Sequence, residues 1–407
     1  MRLAAAIASL AALVIIPLLL ERAPAAAPAP QGYFSLDEIA RADRYASLRL
    51  PLGLAGIALG VIVTLILAVG PGARALGAWA QRVTNGRWLV TSLLLAAIVA
   101  LIPAIVLLPI TLLRYRIDRD FGLATNSTSA VLMDVVRATA FGIGLALVAA
   151  VGFVALAKLL PRAWPYAVAG AGSVMLVALV LLLPVVYEPM FNDFTSVTEP
   201  TRGRILALAD RAGVPVSDVL VADASKRTAR HNAYVSGLGA TRRVVLYDTL
   251  IAGAPETEVD LVVAHELGHV ARNDVRNATL LGIVGLLIGV AVLAGLLRSP
   301  GVLASIGARS AADPRVVPFI AAFVAVAGLA TTPLQSLISR RAEANADRFA
   351  LSVTGDTEIA ISLEQRLALT NLSDLTPNLL VHRFFGSHPT TMERIGIALE
   401  TPAQPLP

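Results

Sequence analysis

The chain has 407 residues, of which 56% are hydrophobic and only 15% are charged. A typical soluble domain is about 25% charged, so this composition excludes an ordinary soluble enzyme and a disordered or fibrous protein, and it indicates a membrane protein. The formal net charge is +5. The basic residues cluster at the ends of apolar stretches, which indicates membrane flanks rather than a nucleic-acid surface. Cysteine is absent, which excludes disulfides, thiol catalysis and cysteine-ligated metals.

Seven stretches are apolar and nearly free of charge over the roughly 20 residues that a membrane-spanning helix needs. They cover residues 3–20, 52–69, 88–113, 139–160, 166–186, 279–297 and 316–337. The third contains Pro103 and Pro109, which predict a kink or a break in its helix. The sequence therefore predicts a mainly α-helical polytopic membrane protein with about seven transmembrane helices.

The first apolar stretch decides which way the later loops face. Arg2 precedes it and an Ala- and Pro-rich sequence follows it, a pattern that fits either a retained helix or a cleaved signal peptide. With a retained helix, the more basic loops 21–49 and 114–137 lie in the cytoplasm, and so do the polar segments of the chain. Lysine occurs only at positions 158 and 226, and this arginine-rich composition favours a bacterial cell membrane.

Two polar segments divide the chain into four parts. Residues 1–187 are an N-terminal membrane region with five transmembrane helices, and residues 188–278 are the first part of a polar domain. Residues 279–337 are two further transmembrane helices, and residues 338–407 are the second part of the polar domain. Residue spacing predicts helices at 201–213 and 255–272 and strands at 219–222, 232–235 and 244–247, so this domain is predicted to be α+β.

The predicted helix 255–272 carries the sequence His265-Glu266-Leu267-Gly268-His269. Residues four apart lie above one another on a helix, so the two imidazoles can bind one zinc ion at a distance of about 2.0–2.1 Å. Glu266 lies about 100° further around the helix, where its carboxylate can act as general base toward a water molecule. The alternative interpretation is two surface histidines on a polar helix.

A catalytic zinc site needs a third protein ligand, and the residues after the last apolar stretch offer one. Glu343 and Asp347 are four residues apart and share one face of a predicted helix. Glu343 is predicted to bind zinc, and Asp347 to orient a neighbouring ligand. Spacing alone leaves open the alternative that both carboxylates are solvated and pair with Arg340 or Arg348.

Three motifs together resemble the type I CAAX prenyl protease family, whose members are integral-membrane zinc endopeptidases related to the heat-shock membrane zinc proteases. The motifs are the HELGH sequence, the Glu-x-x-x-Asp pair and, near the C-terminus, Ser387-His388-Pro389. The segments 188–194, 232–237 and 243–250 are also similar to the family. The resemblance is dense over 188–275 and 336–399, and it includes the order of apolar stretches, with five before the HELGH motif and two after it.

The resemblance implies both a fold and a metal site. The family fold is a ring of seven helices around a large intramembrane chamber, capped by a small α+β protease domain of the zincin (gluzincin) type. One Zn²⁺ per chain is implied, with His265, His269 and Glu343 as its ligands and Glu266 as the catalytic base.

The resemblance also implies roles for residues outside the ligand set. His388 would donate a hydrogen bond to the oxyanion of the reaction, and Arg394 would pair with a carboxylate such as Asp347. Asn232 and Ala233 match an edge strand that would bind an extended peptide through backbone hydrogen bonds. Without the resemblance, His388 and Asn232 also fit ordinary loop or turn residues, and Arg394 fits a surface arginine.

The sequence therefore predicts a membrane-embedded zinc metalloendopeptidase acting on membrane-associated or lipidated polypeptides. Its predicted partners are a peptide or protein substrate and the lipid bilayer, with no nucleic acid. One alternative is a membrane-protein quality-control protease without prenylated substrates. A transporter or a non-proteolytic scaffold is less favoured, since a transporter would place ionisable residues inside the apolar stretches. His231 and His382 match no motif and are predicted not to bind metal.

Overall fold

The computed structural model of the chain describes Glu21 and residues 23–401, so the apolar stretch 3–20 lies outside the described residues. The N-terminal half of the chain is a series of helices. They are α1 (Leu36–Ala68), α2 (Gly70–Val83), α3 (Trp88–Asp120), α4 (Thr128–Leu159) and α5 (Trp164–Leu182), and α5 is followed by short π-helical and 3₁₀ turns as far as Met190. A capping box starts α1, in which Ser35 and Glu38 each accept a backbone N–H of the other. α3 continues through Pro103 and Pro109 without a break.

The next part of the chain forms a small sheet with helices against it. Its elements are β1 (Phe194–Ser196), α6 (Thr201–Arg211), β2 (Asp218–Ala222), β3 (Ala233–Ser236), β4 (Arg243–Tyr247), α7 (Asp248–Gly253) and α8 (Glu256–Ala271). The strand order is β1-β2-β4-β3, with β2 parallel to β4 and the two outer strands antiparallel to their neighbours. The three predicted strands and both predicted helices are confirmed to within two residues, whereas the three-residue β1 was not predicted. β3 is an edge strand of this sheet.

The chain then returns to long helices before it completes the polar domain. These are α9 (Asp274–Leu297), α10 (Pro300–Ile306), α11 (Val317–Thr354), α12 (Thr357–Asn371), α13 (Leu379–Phe385) and α14 (Thr391–Glu400). Within the described residues, six helices are long and apolar enough to cross a membrane: α1, α3, α4, α9, and α5 and α11 with their adjoining turns. They correspond to the six predicted stretches from 52–69 onward. Large apolar side chains remain exposed on them, as lipid-facing residues would be.

α11 connects the membrane region to the polar domain. Its 38 residues make it about 57 Å long, so its apolar first half is long enough to cross a membrane while its last turns reach the polar domain. There it packs closely against α8 at Gly268. A Cβ atom at this position would lie 3.1 Å from Cδ1 of Phe349 and 3.2 Å from Cα of Ala346. The glycine of the HELGH motif therefore suits the close approach of α11 to the histidine-bearing helix, since even one added carbon would require its neighbours to shift by a few tenths of an ångström.

A buried core holds the polar domain together. Ile205 and Leu208 of α6, Leu246 of β4 and Leu267 of α8 are almost completely buried in one cluster. Residues from α11 and α12 complete this cluster, so the two polar segments of the chain fold as one body around it. Its free energy comes mainly from the apolar area that these side chains remove from water.

Polar contacts join the membrane helices to the sheet. Arg49 of α1 donates two hydrogen bonds to the carboxylate of Asp118 on α3, both at 2.8 Å. The Tyr45 hydroxyl donates to the same carboxylate at 2.6 Å and accepts from Arg230, which lies just before β3, at 2.7 Å. The edge strand is therefore fixed relative to two membrane helices.

The segment that precedes α1 lies against the C-terminal part of the polar domain. The backbone N–H of Ala26 donates to the carboxylate of Glu400 at 3.0 Å, and Arg348 donates to the carbonyl of Pro24 at 2.8 Å. Phe34 is buried against residues of α12 and α14. The beginning of the described chain is thus part of the packing around the polar domain.

Candidate active site

The two histidines of α8 point their outer nitrogens at one another. Their Nε2 atoms are 3.3 Å apart, as expected for residues separated by one helical turn. His265 is buried, and His269 lies at the wall of a cavity. One side of each imidazole therefore faces a common point beside α8.

Glu343 of α11 reaches the same point. Its Oε2 lies 3.2 Å from Nε2 of His265 and its Oε1 lies 3.6 Å from Nε2 of His269. One ligand atom from each of these three residues falls within 4.8 Å of the others. The structure thus brings together the three residues that the sequence singled out as metal ligands, and the set of two nitrogens and one oxygen suits a zinc ion.

The electrostatics of the group also fit a cation. Burial lowers the pKa of His265, but its hydrogen bonds with Asp347 and Glu343 outweigh burial and raise this pKa to about 10. The surrounding carboxylates therefore stabilise a positive charge at this position. A site that holds a proton this firmly also favours a divalent cation, whose binding displaces the proton.

The inner nitrogens of the two histidines each contact a carboxylate. Nδ1 of His265 lies 2.8 Å from Asp347, and Nδ1 of His269 lies 2.8 Å from Asp274. A carboxylate partner keeps the proton on Nδ1 and leaves the lone pair of Nε2 free to bind a metal. Both rings are therefore held in the orientation and tautomer that metal binding requires.

Arg394 of α14 supports this arrangement from behind. It donates to both oxygens of Asp347, at 3.0 Å from Nε to Oδ2 and 2.5 Å from Nη2 to Oδ1, and it pairs with Glu364 of α12 at 3.2 Å. Burial raises the pKa of Glu364 to about 7. Burial would lower the pKa of Arg394, but its two carboxylate partners outweigh that effect and raise it. One buried guanidinium thus holds two buried carboxylates.

Glu266 lies next to the ligand group and lines the same cavity. Burial raises its pKa above the ordinary glutamate value because the charged form loses water, while the neighbouring histidines act in the opposite direction. A carboxylate whose proton affinity is raised in this way is a better proton acceptor than an ordinary exposed glutamate.

His388 approaches the group from the loop before α14. Its Nε2 lies 3.5 Å from Oε1 of Glu343, and its Nδ1 lies 2.8 Å from the Ser387 hydroxyl. Its side chain is 60% exposed. His388 is therefore close enough to contact a substrate bound beside Glu343, and it is not packed away as an ordinary core histidine would be.

A cavity of about 1840 Å³ opens over the site and extends toward the membrane helices. Its wall includes Asn232 beside the edge strand, and apolar residues such as Leu281 and Ile288 of α9. Polar residues of α11, among them Gln335, line the opposite part of the wall. The cavity thus connects the polar site with space between membrane-spanning helices.

The two histidines that were predicted not to bind metal lie outside the ligand group, although His231 lines the same cavity. The backbone N–H of His231 donates to the side chain of Asn371, and the imidazole of His231 faces Gly253. Nε2 of His382 lies 3.8 Å from Glu393. Neither histidine belongs to the group of possible metal ligands found among the described residues.

Two residues of the site were not predicted, Asp274 and Glu364. Asp274 could have been found, because it follows His269 by five residues, just after Asn273 turns the chain in the left-handed conformation (φ 56°). Glu364 has no comparable signal, because it is a single acidic residue within α12, outside every motif, and it meets Arg394 only in the folded chain.

Two family models match the chain. One is described as peptidase family M48 and matches residues 198–401; the other is described as the CAAX prenyl protease N-terminal region with five membrane helices and matches residues 18–193. The chain belongs to peptidase family M48. This M48 chain is therefore a metalloprotease, a hydrolase of peptide bonds, and it is an integral membrane protein. The predicted enzyme class is confirmed, and membership of the family implies a metal.

Individual relatives agree with this assignment. An uncharacterized metalloprotease of Bacillus subtilis, YhfN, is 28% identical over 373 residues, which cover 90% of this chain and 86% of that protein. CAAX prenyl protease 1 of Saccharomyces cerevisiae is 32% identical over 232 residues, so the alignment spans only about half of each protein, 53% of this chain and 51% of the yeast enzyme. The predicted resemblance to the CAAX prenyl protease family is confirmed.

The fold of this M48 chain is also that of a solved structure. The crystal structure of S. mikatae Ste24p matches it with a TM-score of 0.82 over 96% of both chains, at 19% sequence identity. The predicted fold class is thereby confirmed: a polytopic helical membrane protein that carries a small protease domain with a mixed sheet.

The charge balance around Arg394 gives a testable prediction. Arg394→Met should lower the free energy of unfolding by about 3–5 kcal/mol, because two buried carboxylates lose their shared cation. Chemical denaturation of the detergent-solubilised protein measures this loss. The loss of unfolding free energy should be smaller at about pH 5 than above pH 7. At the lower pH the Glu364 carboxyl, whose pKa is raised to about 7, is protonated and uncharged, so it no longer needs the cation.

The matched control is Arg202→Met, which removes the cation of an exposed pair with Asp218. Exposed pairs contribute at most about 1 kcal/mol. Equal losses in the two variants would contradict the interpretation that Arg394 balances buried charge.

Proposed function

We propose that this M48 peptidase is a zinc-dependent endopeptidase with one Zn²⁺ held by His265, His269 and Glu343. The observation that supports this proposal most strongly is the convergence of their three ligand atoms within 4.8 Å, next to Glu266. Three protein ligands of nitrogen and oxygen type with an open fourth position are typical of catalytic zinc sites.

The side chains around the site have complementary roles in the proposed reaction. Zinc, when bound, supplies a Lewis acid that polarises the scissile carbonyl. Glu266 takes a proton from the attacking water and returns it to the leaving amine. The Ser387 hydroxyl lies 2.8 Å from Nδ1 of His388. In this proposal the hydroxyl donates to that nitrogen, and Nε2 carries the proton and donates to the carbonyl oxygen as it becomes an oxyanion.

Asp347 and Arg394 keep the ligand set in place without contacting the substrate. Asp347 orients His265, and Arg394 fixes Asp347 by two hydrogen bonds. The extended substrate binds at β3, where Ala233 lies on the edge strand of the sheet. The backbone carbonyl of Asn232 accepts from Tyr247 of β4 at 3.0 Å, so Asn232 contributes its side chain in the wall of the cavity. In this proposal the protease domain consists of residues 188–278 and 338–407.

We propose membrane-associated polypeptides as substrates. A cavity of about 1840 Å³ is larger than the roughly 300–1,000 Å³ of ordinary small-molecule sites, and its apolar wall from α9 suits a lipid chain or an apolar segment. Prenylated peptides are one candidate class, and unmodified segments of membrane proteins, cleared by a quality-control protease, are the other. The relatives named as CAAX prenyl proteases favour the first class.

Hydrolysis by the purified, detergent-solubilised protein tests the proposed reaction. Wild type should cleave a peptide, whereas Glu266→Gln and wild type treated with a zinc chelator should both lose hydrolysis by at least about 10²-fold, because the base or the metal is missing. Assaying one peptide with and without a prenyl group separates the two substrate classes. Undiminished cleavage by Glu266→Gln would contradict the proposed base.

Metal content separates ligands from supporting residues. His265→Ala and Glu343→Ala should lose the bound zinc, whereas Glu266→Gln should retain it. Asp274→Asn should weaken zinc binding by about 10–100-fold, because it loosens the tautomer and orientation of His269. Elemental analysis and competition with a zinc indicator measure both effects, and full zinc content in the two alanine variants would exclude these ligands.

We propose that the protein lies in a bacterial cell membrane with its protease domain in the cytoplasm, as the basic loops suggest. Because the chain contains no cysteine, single introduced cysteines report sidedness cleanly. In intact cells, a membrane-impermeant maleimide should label Arg82→Cys, in the last turn of α2, and should not label Thr257→Cys on α8. The reverse pattern would show the opposite orientation.

A further inference from the structure

Arg340 lies on α11 one helical turn before Glu343, yet it faces away from the metal-ligand group. It is only 3% exposed. None of its hydrogen bonds involves a proposed ligand. Its guanidinium instead contacts backbone carbonyls of one short segment and the side chain of Glu21.

The carbonyls that Arg340 binds belong to the end of α13 and the loop that follows it. Arg340 donates to the carbonyl of His382 at 3.0 Å, to that of Arg383 at 3.1 Å, and to that of Gly386. The last carbonyls of a helix have no partner within the helix, and a buried cation satisfies them well. Ser336, one turn earlier on α11, donates to the carbonyl of Phe384 at 3.0 Å.

This segment leads directly to His388. Gly386, whose carbonyl Arg340 holds, precedes His388 by two residues, and no residue between them is part of a helix or strand. The imidazole of His388 then lies 3.5 Å from Glu343. The same stretch of α11 therefore holds the loop before His388 through Arg340 and supplies Glu343 one turn later, so α11 connects the position of His388 with that of one proposed metal ligand.

Glu21 balances the charge of this buried arginine. Its two carboxylate oxygens accept from Nε and Nη2 of Arg340 at 2.5 and 2.7 Å, and its own side chain is only 8% exposed. A buried guanidinium without a counter-ion would be costly, whereas a bidentate pair fixes its plane and aims its remaining donors at the carbonyls. Residues 319 apart in sequence thus form one unit.

We propose that Arg340, oriented by Glu21, is a positioning residue that holds the Gly386–His388 loop so that His388 can reach the reacting carbonyl. This inference rests on the proposed function of His388 as oxyanion donor. Lysine cannot replace Arg340, because a single ammonium group cannot bind a carboxylate and three carbonyls in one plane.

A double-mutant cycle on kcat tests the proposal. His388→Ala should lower kcat by about 10²–10³-fold. Arg340→Lys should lower kcat by about 10–100-fold with little change in KM and full zinc content, because the catalytic group is displaced while the ligands are not. In the His388→Ala background, Arg340→Lys should change kcat by less than about twofold, because the two residues act as a unit.

Arg348→Lys is the matched control, since Arg348 lies on the same helix, is exposed and contacts the carbonyl of Pro24. It should leave kcat within about twofold of wild type. If Arg340→Lys does not fold, Glu21→Gln provides the same test with a smaller change. Glu21→Gln keeps Arg340 in place. It should lower kcat when His388 is present and should have no further effect on kcat in the His388→Ala background.

Three results would overturn the inference. If Arg340→Lys lowered kcat by the same factor in the wild-type and His388→Ala backgrounds, Arg340 would act elsewhere, while the proposed function would stand. Loss of zinc in Arg340→Lys would show that it supports the ligands instead. Unchanged kcat in His388→Ala would overturn both this inference and the proposed role of His388, although hydrolysis that depends on Glu266 would still support the protease itself.

Discussion

The close contact between α8 and α11 is the constraint on which the site depends. The two histidines come from α8 and Glu343 comes from α11, so the three ligand atoms meet only if these helices touch. Gly268 makes that contact possible, because Ala346 and Phe349 occupy the space that a side chain would need. The glycine between Glu266 and His269 therefore has a packing role that is as specific as the chemistry of its neighbours.

Around this contact, charges are buried in balanced sets. Asp347 and Glu364 share Arg394, and Glu21 balances Arg340. Buried ion pairs add little net stability compared with apolar packing, but they are strongly directional. The first set fixes the orientation of His265, and the second lies beside the segment that leads to His388. The protein thus uses buried charge chiefly to orient groups rather than to increase its stability.

The position of the protease domain follows from the length of α11 and from contacts at the membrane boundary. α11 carries Gln335 in the wall of the cavity and Glu343 in the ligand group, so one continuous helix leads from the membrane region to the chemistry. The pair of Tyr45 and Arg230 joins the membrane helices to the chain just before β3. A substrate held in the membrane would accordingly meet a site whose edge strand and metal ligands are fixed to the surrounding helices.

The sequence by itself determined the six membrane-spanning stretches from 52–69 onward, three of the four strands, the helix that carries His265 and His269, and Glu343 and Asp347 as residues on one helix face. These features depend on local spacing, and spacing is the same whether or not the rest of the chain is known. The family resemblance implied that Glu343 joins the histidines and that Arg394 pairs with a carboxylate such as Asp347, but spacing alone did not. Only the tertiary structure decided that Arg394 also pairs with Glu364 and that Glu21 pairs with Arg340. Each of these contacts joins residues far apart in sequence, and many acidic residues in the chain could have paired with each arginine. Which of them does so is fixed by the packing of α8, α11, α12 and α14 around the buried core, because packing alone sets the distances between helices.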